Sequence, residues 1–462
     1  MKKSVFESQP SRLPRQLSRF DAIMMIVGNM IGIGIFTTTG YIAGYLSSPF
    51  YLLLVWLLGG LYALFGALTY AELSTRFPLA GGDFHYLKHA YHPLLAFLFG
   101  WSAFAVTYTG SIATIAVGFA SYFLNIFPES VRNFQMVIPL IPAKISALKL
   151  IAIGITLLFT WINTRGIKKG AIFQNIFTVL GILILLSIVL MGFVSPNGSK
   201  SHFLPFFPQG VAPRDLSLIG VALVGVIFTY SGWTTVVYIA GEIKKPRTNL
   251  PFSLALSVIV VLGLYIMVNL VYLYALPLPE MVNVVDIGYQ TLLRLMGEQV
   301  GWIFSVLIML AVLSTLNSTI LSGARIYYAM AKEGIFFSAA KKIHERYQSP
   351  ANSLWMQGIW SVVLILSGSF NQLLAYTVFV MVLFSFLSGI SLFVLRKNSP
   401  DENDSYRVWG YPVVPALYIL ISFWVMVNTF YHRPVESLLG ILLILLGYPF
   451  YRLWSHHSES NR

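Results

Sequence analysis

The run GNMIGIGIF, Gly28 to Phe36, sets glycines at 28, 32 and 34 inside an apolar stretch from about Phe20 to Tyr45. Glycine costs a helix about 1 kcal/mol relative to alanine, and in lipid every backbone group released by unwinding needs a partner within the protein. The chemistry such a break offers is that of bare amides and carbonyls, facing a ligand held near the bilayer midplane between the ends of two half-helices. A second interruption has the same character. In IFTYSGWTTVVYIAGEIKKPRTNLP, Ile227 to Pro251, the apolar run is broken at Tyr230, Ser231 and Gly232 and ends in a charged loop closed by Pro246 and Pro251. Small residues of either set alone would also serve close helix packing. Their occurrence as a pair, in spans one and six, points to an inverted five-plus-five repeat with one broken helix in each half.

The elements that must carry these breaks are membrane helices. Hydrophobic residues make up 57% of the chain and charged residues 10%, with a mean hydropathy of +0.75, which excludes a soluble domain with a polar exterior. At about 20 apolar residues per span, twelve spans begin near residues 20, 50, 93, 147, 171, 217, 252, 300, 353, 372, 411 and 436. The expected fold is an all-α polytopic membrane protein of twelve transmembrane helices. The first repeat covers 19–194, the second 217–397 and two further helices 411–454, with tails 1–18 and 455–462 in the cytoplasm.

The net charge of +13 would suggest nucleic acid in a soluble protein. Here the basic clusters Lys2 to Arg19, Arg165 to Lys169, Lys244 to Arg247 and Lys332 to Arg346 all lie beside helix ends on one side, as the positive-inside rule requires. The implied partner is therefore the lipid bilayer and not nucleic acid. Cysteine is absent, so no disulfide-linked subunit is expected, and nothing indicates an oligomeric state. The first apolar stretch is too long for a cleavable signal core. The loop from Arg76 to Pro93 reads as an amphipathic segment at the inner interface, and the outer loops near Asn125 to Ala147 and Ser195 to Leu216 as irregular lids.

With GNMIGIGIF come PLAGGDFHYLK at Pro78, NTRGIKKGAIFQNIFT at Asn163, FTYSGW with GEIKKPRTNLP from Phe228, and SYRVWGYPVVPALYIL from Ser405. In this order and spacing, from about Arg19 to Arg452, they resemble the motif set of the amino acid-polyamine-organocation superfamily. They are most similar to L-type amino acid transporters and their bacterial relatives. The resemblance implies the LeuT-like fold, helices 1 and 6 broken, and secondary amino acid transport by rocking of one bundle against the other. It implies that the substrate lies at Ile31, Gly32, Ile33 and Gly34 and at Phe228, Thr229, Tyr230 and Ser231, with Phe228 as an aromatic gate. Helix electrostatics agree: the amides around Gly32 to Gly34 open the outer half of helix 1, where a carboxylate gains about 0.3 to 2 kcal/mol from the dipole. The ammonium would face carbonyls around Ile31 and Phe228 to Ser231.

Two departures from the family pattern stand out. Relatives often carry Ser, Ala or Thr where this chain has Ile33, so backbone groups must do more. Counting on from Gln174, the position of a family lysine that sits where sodium-coupled relatives bind an ion is Gly181. Three readings of coupling follow: sodium held by carbonyls near Gly28 and hydroxyls among Ser314, Thr315 and Ser318, exchange with no ion, or proton coupling through some other group. Hydroxyls bonding back to their own helix would remove the first.

No Asp, Glu, Lys or Arg falls in the middle third of a span, which favours neutral L-amino acids over a cationic amino acid or polyamine. Asp21 and Glu242 read as solvated carboxylates at inner helix ends, or as inner-gate partners of basic loop residues. His85, His89 and His92, with Asp83 nearby, have helical metal-ligand spacing but lie in an interfacial loop, where histidines sit beside headgroups. No Rossmann, Walker or nucleophile-elbow pattern appears, so no enzyme activity and no cofactor are expected. A transport-inactive sensor on the same fold is the remaining class. A bacterial cytoplasmic membrane is the expected home.

Overall fold

The computed structural model describes residues 14–124, 127–137, 144–208, 210, 213–367, 370–398 and 406–459. Both extreme tails, and the middle of the outer loop expected between Asn125 and Ala147, lie outside the described residues. Among the described residues the regular structure is helical apart from a small antiparallel hairpin, Gln135–Val137 with Lys144–Ser146. That hairpin and the turn of helix Glu129–Arg132 correct the expectation of a wholly irregular lid there.

Among the described residues eleven helices are long and apolar enough to cross a membrane, and the shorter apolar helix Ala351–Ser367 stands in the ninth place. The chain is thus a multi-pass membrane protein. The face that carries Ser18 is called inner below.

The first span runs as Arg19–Met30 and Ile33–Ala43. It starts in a capping box, in which the Ser18 hydroxyl accepts from the Asp21 amide and the Asp21 carboxylate accepts from the Ser18 amide. The sixth span runs as Pro213–Tyr230, a 3-10 turn Ser231–Thr234 and a short helix Thr235–Tyr238. Both interruptions expected from the sequence are present.

Burial follows from position. In the first, third, sixth and eighth spans, 72 to 83% of residues in the apolar window are buried, against 22% in the twelfth. Central helices touch protein on every side, and peripheral ones keep a lipid face. On the fifth span, Ile167–Val194, that face is the exposed stripe Ile172, Ile176, Val179, Leu183, Leu186, Leu190 and Phe193, spaced three and four apart as one side of a helix must be. The third span contains a five-residue π-helical segment, Ala103–Thr107, with the Thr109 hydroxyl donating back five residues to Phe104. Such wide turns recur beside functional sites, and Thr107, Tyr108 and Ser111 here line the central cavity.

The segment after the second span, Pro49–Arg76, does not lie flat at the interface. It turns inward at Gly81 (φ +110°) and Gly82 (φ +49°) into helix Asp83–Ala90, whose Asp83, Phe84, His85, Tyr86 and Leu87 are all buried. Positive φ is open to glycine without strain, and a Cβ on Gly82 would stand 2.9 Å from the Tyr238 ring. The glycine pair therefore lets this corner press against the inner half of the sixth span. His85 is not a headgroup-facing histidine. Its Nε2 pairs with the Ala80 carbonyl at 3.0 Å, and burial holds its imidazole down at about 4.

Of the inner carboxylates Glu72 and Glu242 are withdrawn from solvent, whereas Asp21 keeps partial exposure. Glu242 is fully buried and paired with Arg325 of the eighth span at 3.0 Å. Glu72 accepts from Arg76, Arg396 and the Val408 amide, and Asp21 accepts from Asn175. Leu17 forms a parallel bridge to Ile243, with Gln16 and Leu17 amides donating to the Glu242 carbonyl.

Candidate functional site

At the first break Ile31 leaves helical geometry (φ −74°, ψ +80°) and Gly32 is extended (φ −136°, ψ −156°). No side chain caps the outer half-helix that starts at Ile33. Its first amides are those a helix never satisfies internally, so the electropositive end of the outer half-helix opens on a cavity that Gly32, Ile33 and Gly34 line. The freed carbonyls of the inner half have partners: Thr315 Oγ1 donates to Gly28 at 3.0 Å and lies 3.3 Å from the Ile31 oxygen, and the Tyr265 hydroxyl donates to Met30.

The glycines are required by contact. A Cβ on Gly32 would lie 2.1 Å from Thr315 Oγ1, and one on Gly34 2.5 Å from Thr229 Oγ1. The side chain of Ile33 points away from the substrate route into the third span, where a Cβ on Gly118 would meet it at 2.4 Å.

The second break lies directly against the first. A Cβ on Gly232 would come within 2.5 Å of the Asn29 carbonyl carbon and the Met30 nitrogen, so backbone meets backbone there. Asn29 ties the two together: its Nδ2 donates to the Gly232 carbonyl at 3.3 Å and to the Thr235 hydroxyl, and its Oδ1 accepts from Thr319 at 3.0 Å. Phe228, Thr229 and Ser231 face the same cavity. Of the eight residues expected around the substrate, Ile31 and Tyr230 are not on its wall. Tyr230 packs between Trp56 and Tyr265, and Ile31 packs against Gly181 of the fifth span.

That last contact shows what fills the place of the family lysine: a Cβ on Gly181 would meet the Ile31 side chain at 3.2 Å and Ala311 at 3.5 Å. The oxygens a sodium ion would need nearby are already engaged. Ser314 accepts from the Gln174 amide at 2.6 Å, Ser318 reaches the Met25 carbonyl at 3.5 Å, and Thr178 donates to Met24 at 2.9 Å. The space beside Gly28 holds Thr178 Oγ1 and Gln174 Nε2. An amide N–H donor there repels a cation, so these residues do not fit a sodium site.

The inner end of the cavity holds a carboxylate that the sequence offered only as a neighbour of the loop histidines. Asp83 enters from the re-entrant corner, buried, with the Tyr70 hydroxyl donating to Oδ1 at 2.5 Å and the Tyr238 hydroxyl to Oδ2 at 2.6 Å. Burial pushes its carboxyl above the ordinary value, against these hydrogen bonds, which favour the ionised form. Asn29 and Thr319 were missed as well, although polar residues on a buried helix face are a signal in their own right, and Thr315, expected among the hydroxyls of an ion site, lines this cavity.

Comparison with known proteins identifies the family. The family profile described as amino acid permease matches residues 17–447. The chain is 28% identical to "Large neutral amino acids transporter small subunit 2" of Mus musculus, covering 97% of this chain and 83% of that protein. It is 28% identical to "b(0,+)-type amino acid transporter 1" of Homo sapiens, over 99% and 91%. It is 27% identical to "Serine/threonine exchanger SteT" of Bacillus subtilis, over 96% and 98%.

Proposed function

The chain belongs to the amino acid permease family, and on that footing we propose that it is a secondary carrier, a permease or exchanger, that moves neutral L-amino acids across a bacterial cytoplasmic membrane, with both termini inside. The observation that carries this reading is the meeting of the two breaks at Gly232 and Asn29, with an uncapped half-helix opening on the shared cavity. The substrate carboxylate sits on the amides of Ile33 and Gly34, where hydrogen bonds and the helix dipole act together. The ammonium faces the carbonyl ends of the inner half of the first span and of the outer half of the sixth. Phe228 closes over the pair as a gate.

Alternating access then needs contacts that open and close at each face. On the inner face the buried Glu242–Arg325 pair joins the loop after the sixth span to the eighth. On the outer face Arg433 donates to the hydroxyls of Tyr41 and Tyr45, at 2.9 Å each, tying the end of the first span to the loop before the twelfth. Sodium has no part in this cycle.

Counterflow into liposomes tests the reading. Labelled leucine, threonine and lysine are offered separately to vesicles loaded with the same unlabelled amino acid. Accumulation of leucine or threonine is expected, and a flat trace for all three indicates a sensor. Accumulation of lysine alone indicates a cationic carrier.

A further inference from the structure

Three carboxylates are fully buried among the described residues, and two have cations: Glu72 pairs with Arg76 and Arg396, and Glu242 with Arg325. The third, Asp83, forms no ion pair with a described residue, yet it is the one on the wall of the central cavity. An ionised carboxylate withdrawn from water without a cation is expensive. Two hydroxyl donors at 2.5 and 2.6 Å, the span of charge-assisted O–H bonds to a carboxylate, reduce that cost without removing it.

The eighth span, Glu298–Lys332, also packs on the Asp83 helix, but its Arg325 is committed to Glu242 and Glu333 at its end to Lys88; the groups that act on the Asp83 carboxyl are neutral. Tyr70 comes from the second span, Tyr86 from its own helix, Tyr108 from the third span, Tyr238 from the sixth, Ser388 from the tenth and Tyr418 from the eleventh. His85 is the nearest base in sequence, and it is turned to the Ala80 carbonyl and held neutral. Nothing in the zwitterion site requires a carboxylate here, because backbone amides and carbonyls suffice for the two α-groups.

We propose that Asp83 is a proton-binding site of the transport cycle, loaded and unloaded through the same cavity as the amino acid. This rests on the reading of that cavity as the transport route. With the cavity open outward, the carboxylate takes a proton from hydronium, giving the neutral acid and water. With it open inward, the acid returns the proton to water and becomes carboxylate again. The neutral form lets the cavity close dry, since no unpaired charge is then enclosed. Tyr70 and Tyr238 act as positioning residues that hold the carboxyl on the wall and set its basicity.

The test uses the full chain in liposomes, with labelled leucine or threonine, whichever gives counterflow. An acid-outside gradient of one pH unit should drive accumulation of up to about tenfold for one proton per amino acid, collapsed by a protonophore. Asp83→Asn should retain measurable counterflow at equal pH and lose the gradient-driven accumulation. Tyr238→Phe removes a donor that favours the carboxylate, so the pH profile of uptake should move to higher pH; a purely structural tyrosine would alter rates without moving the profile. Wild-type counterflow with no response to the gradient overturns the proposal, and so does gradient-driven accumulation by Asp83→Asn. If Asp83→Asn shows no counterflow at all, the Tyr238→Phe profile decides, and an unmoved profile counts against the site. A wild-type protein silent in counterflow with every amino acid fails as a carrier, which is a different result.

Discussion

The break at Gly32 and the corner at Gly81 to Asp83 end on the same cavity and reach it by opposite means. At the break the glycines bare the backbone amides that the proposed function assigns to binding, and the neighbours Thr315 and Thr229 stand where Cβ atoms would be. At the corner two glycines with positive φ turn the chain and let it press on Tyr238, and the working group is a side chain held by two others. A backbone device tolerates no added bulk and is indifferent to titration. A side-chain device tolerates conservative change in shape and responds to pH.

The largest effect expected from this contrast is at the break. Gly32→Leu should reduce counterflow by about 100-fold or more, since overpacking must displace Thr315 from both carbonyls it serves, while the protein still elutes as a single folded species in detergent. Unchanged affinity would remove the backbone device. Next comes a side-chain contact on the inner face: Arg325→Ala leaves Glu242 buried and unpaired, at a cost of about 3–5 kcal/mol, read as a lowered thermal midpoint. Combining it with Glu242→Gln should recover much of that loss, and no recovery would mean that Arg325 acts through packing. Phe228→Ala should slow transport about tenfold while changing equilibrium binding far less, as for a gate that limits a conformational step; equal losses would make the ring an ordinary wall. The smallest effect is expected where Gln174 and Thr178 fill the space beside Gly28. Replacing sodium by choline should change the initial rate by less than about twofold, and a larger dependence would place a cation among groups that here satisfy one another.

The same contrast explains what was legible in the chain itself. Gly28, Gly32 and Gly34 interrupt a long apolar run, and so do Tyr230 to Gly232; departures from a helical pattern are visible along one dimension. Tyr230 was misplaced on the cavity because a helix break does not say which of its residues face inward, and the pocket formed by Trp56 and Tyr265 comes from two distant spans. Asp83 was hidden for a related reason. Inside a short polar loop with three histidines it looks like an interfacial residue, and only the turn at Gly81 and Gly82 carries it beneath the substrate route. The argument for neutral substrates from charge-free spans therefore missed a carboxylate that arrives from outside any span. Glu242 and Arg325 were likewise visible as charges near inner helix ends, but their burial against each other joins positions 83 apart in the sequence.

The central claim is that the paired breaks grip the amino acid through backbone groups. A structure of the chain with bound leucine or threonine tests it most directly. The substrate carboxylate is expected within hydrogen-bonding distance of the Ile33 and Gly34 amides, beside Phe228. An amino acid bound away from both breaks, or a first span running unbroken through Ile31 and Gly32, would contradict it.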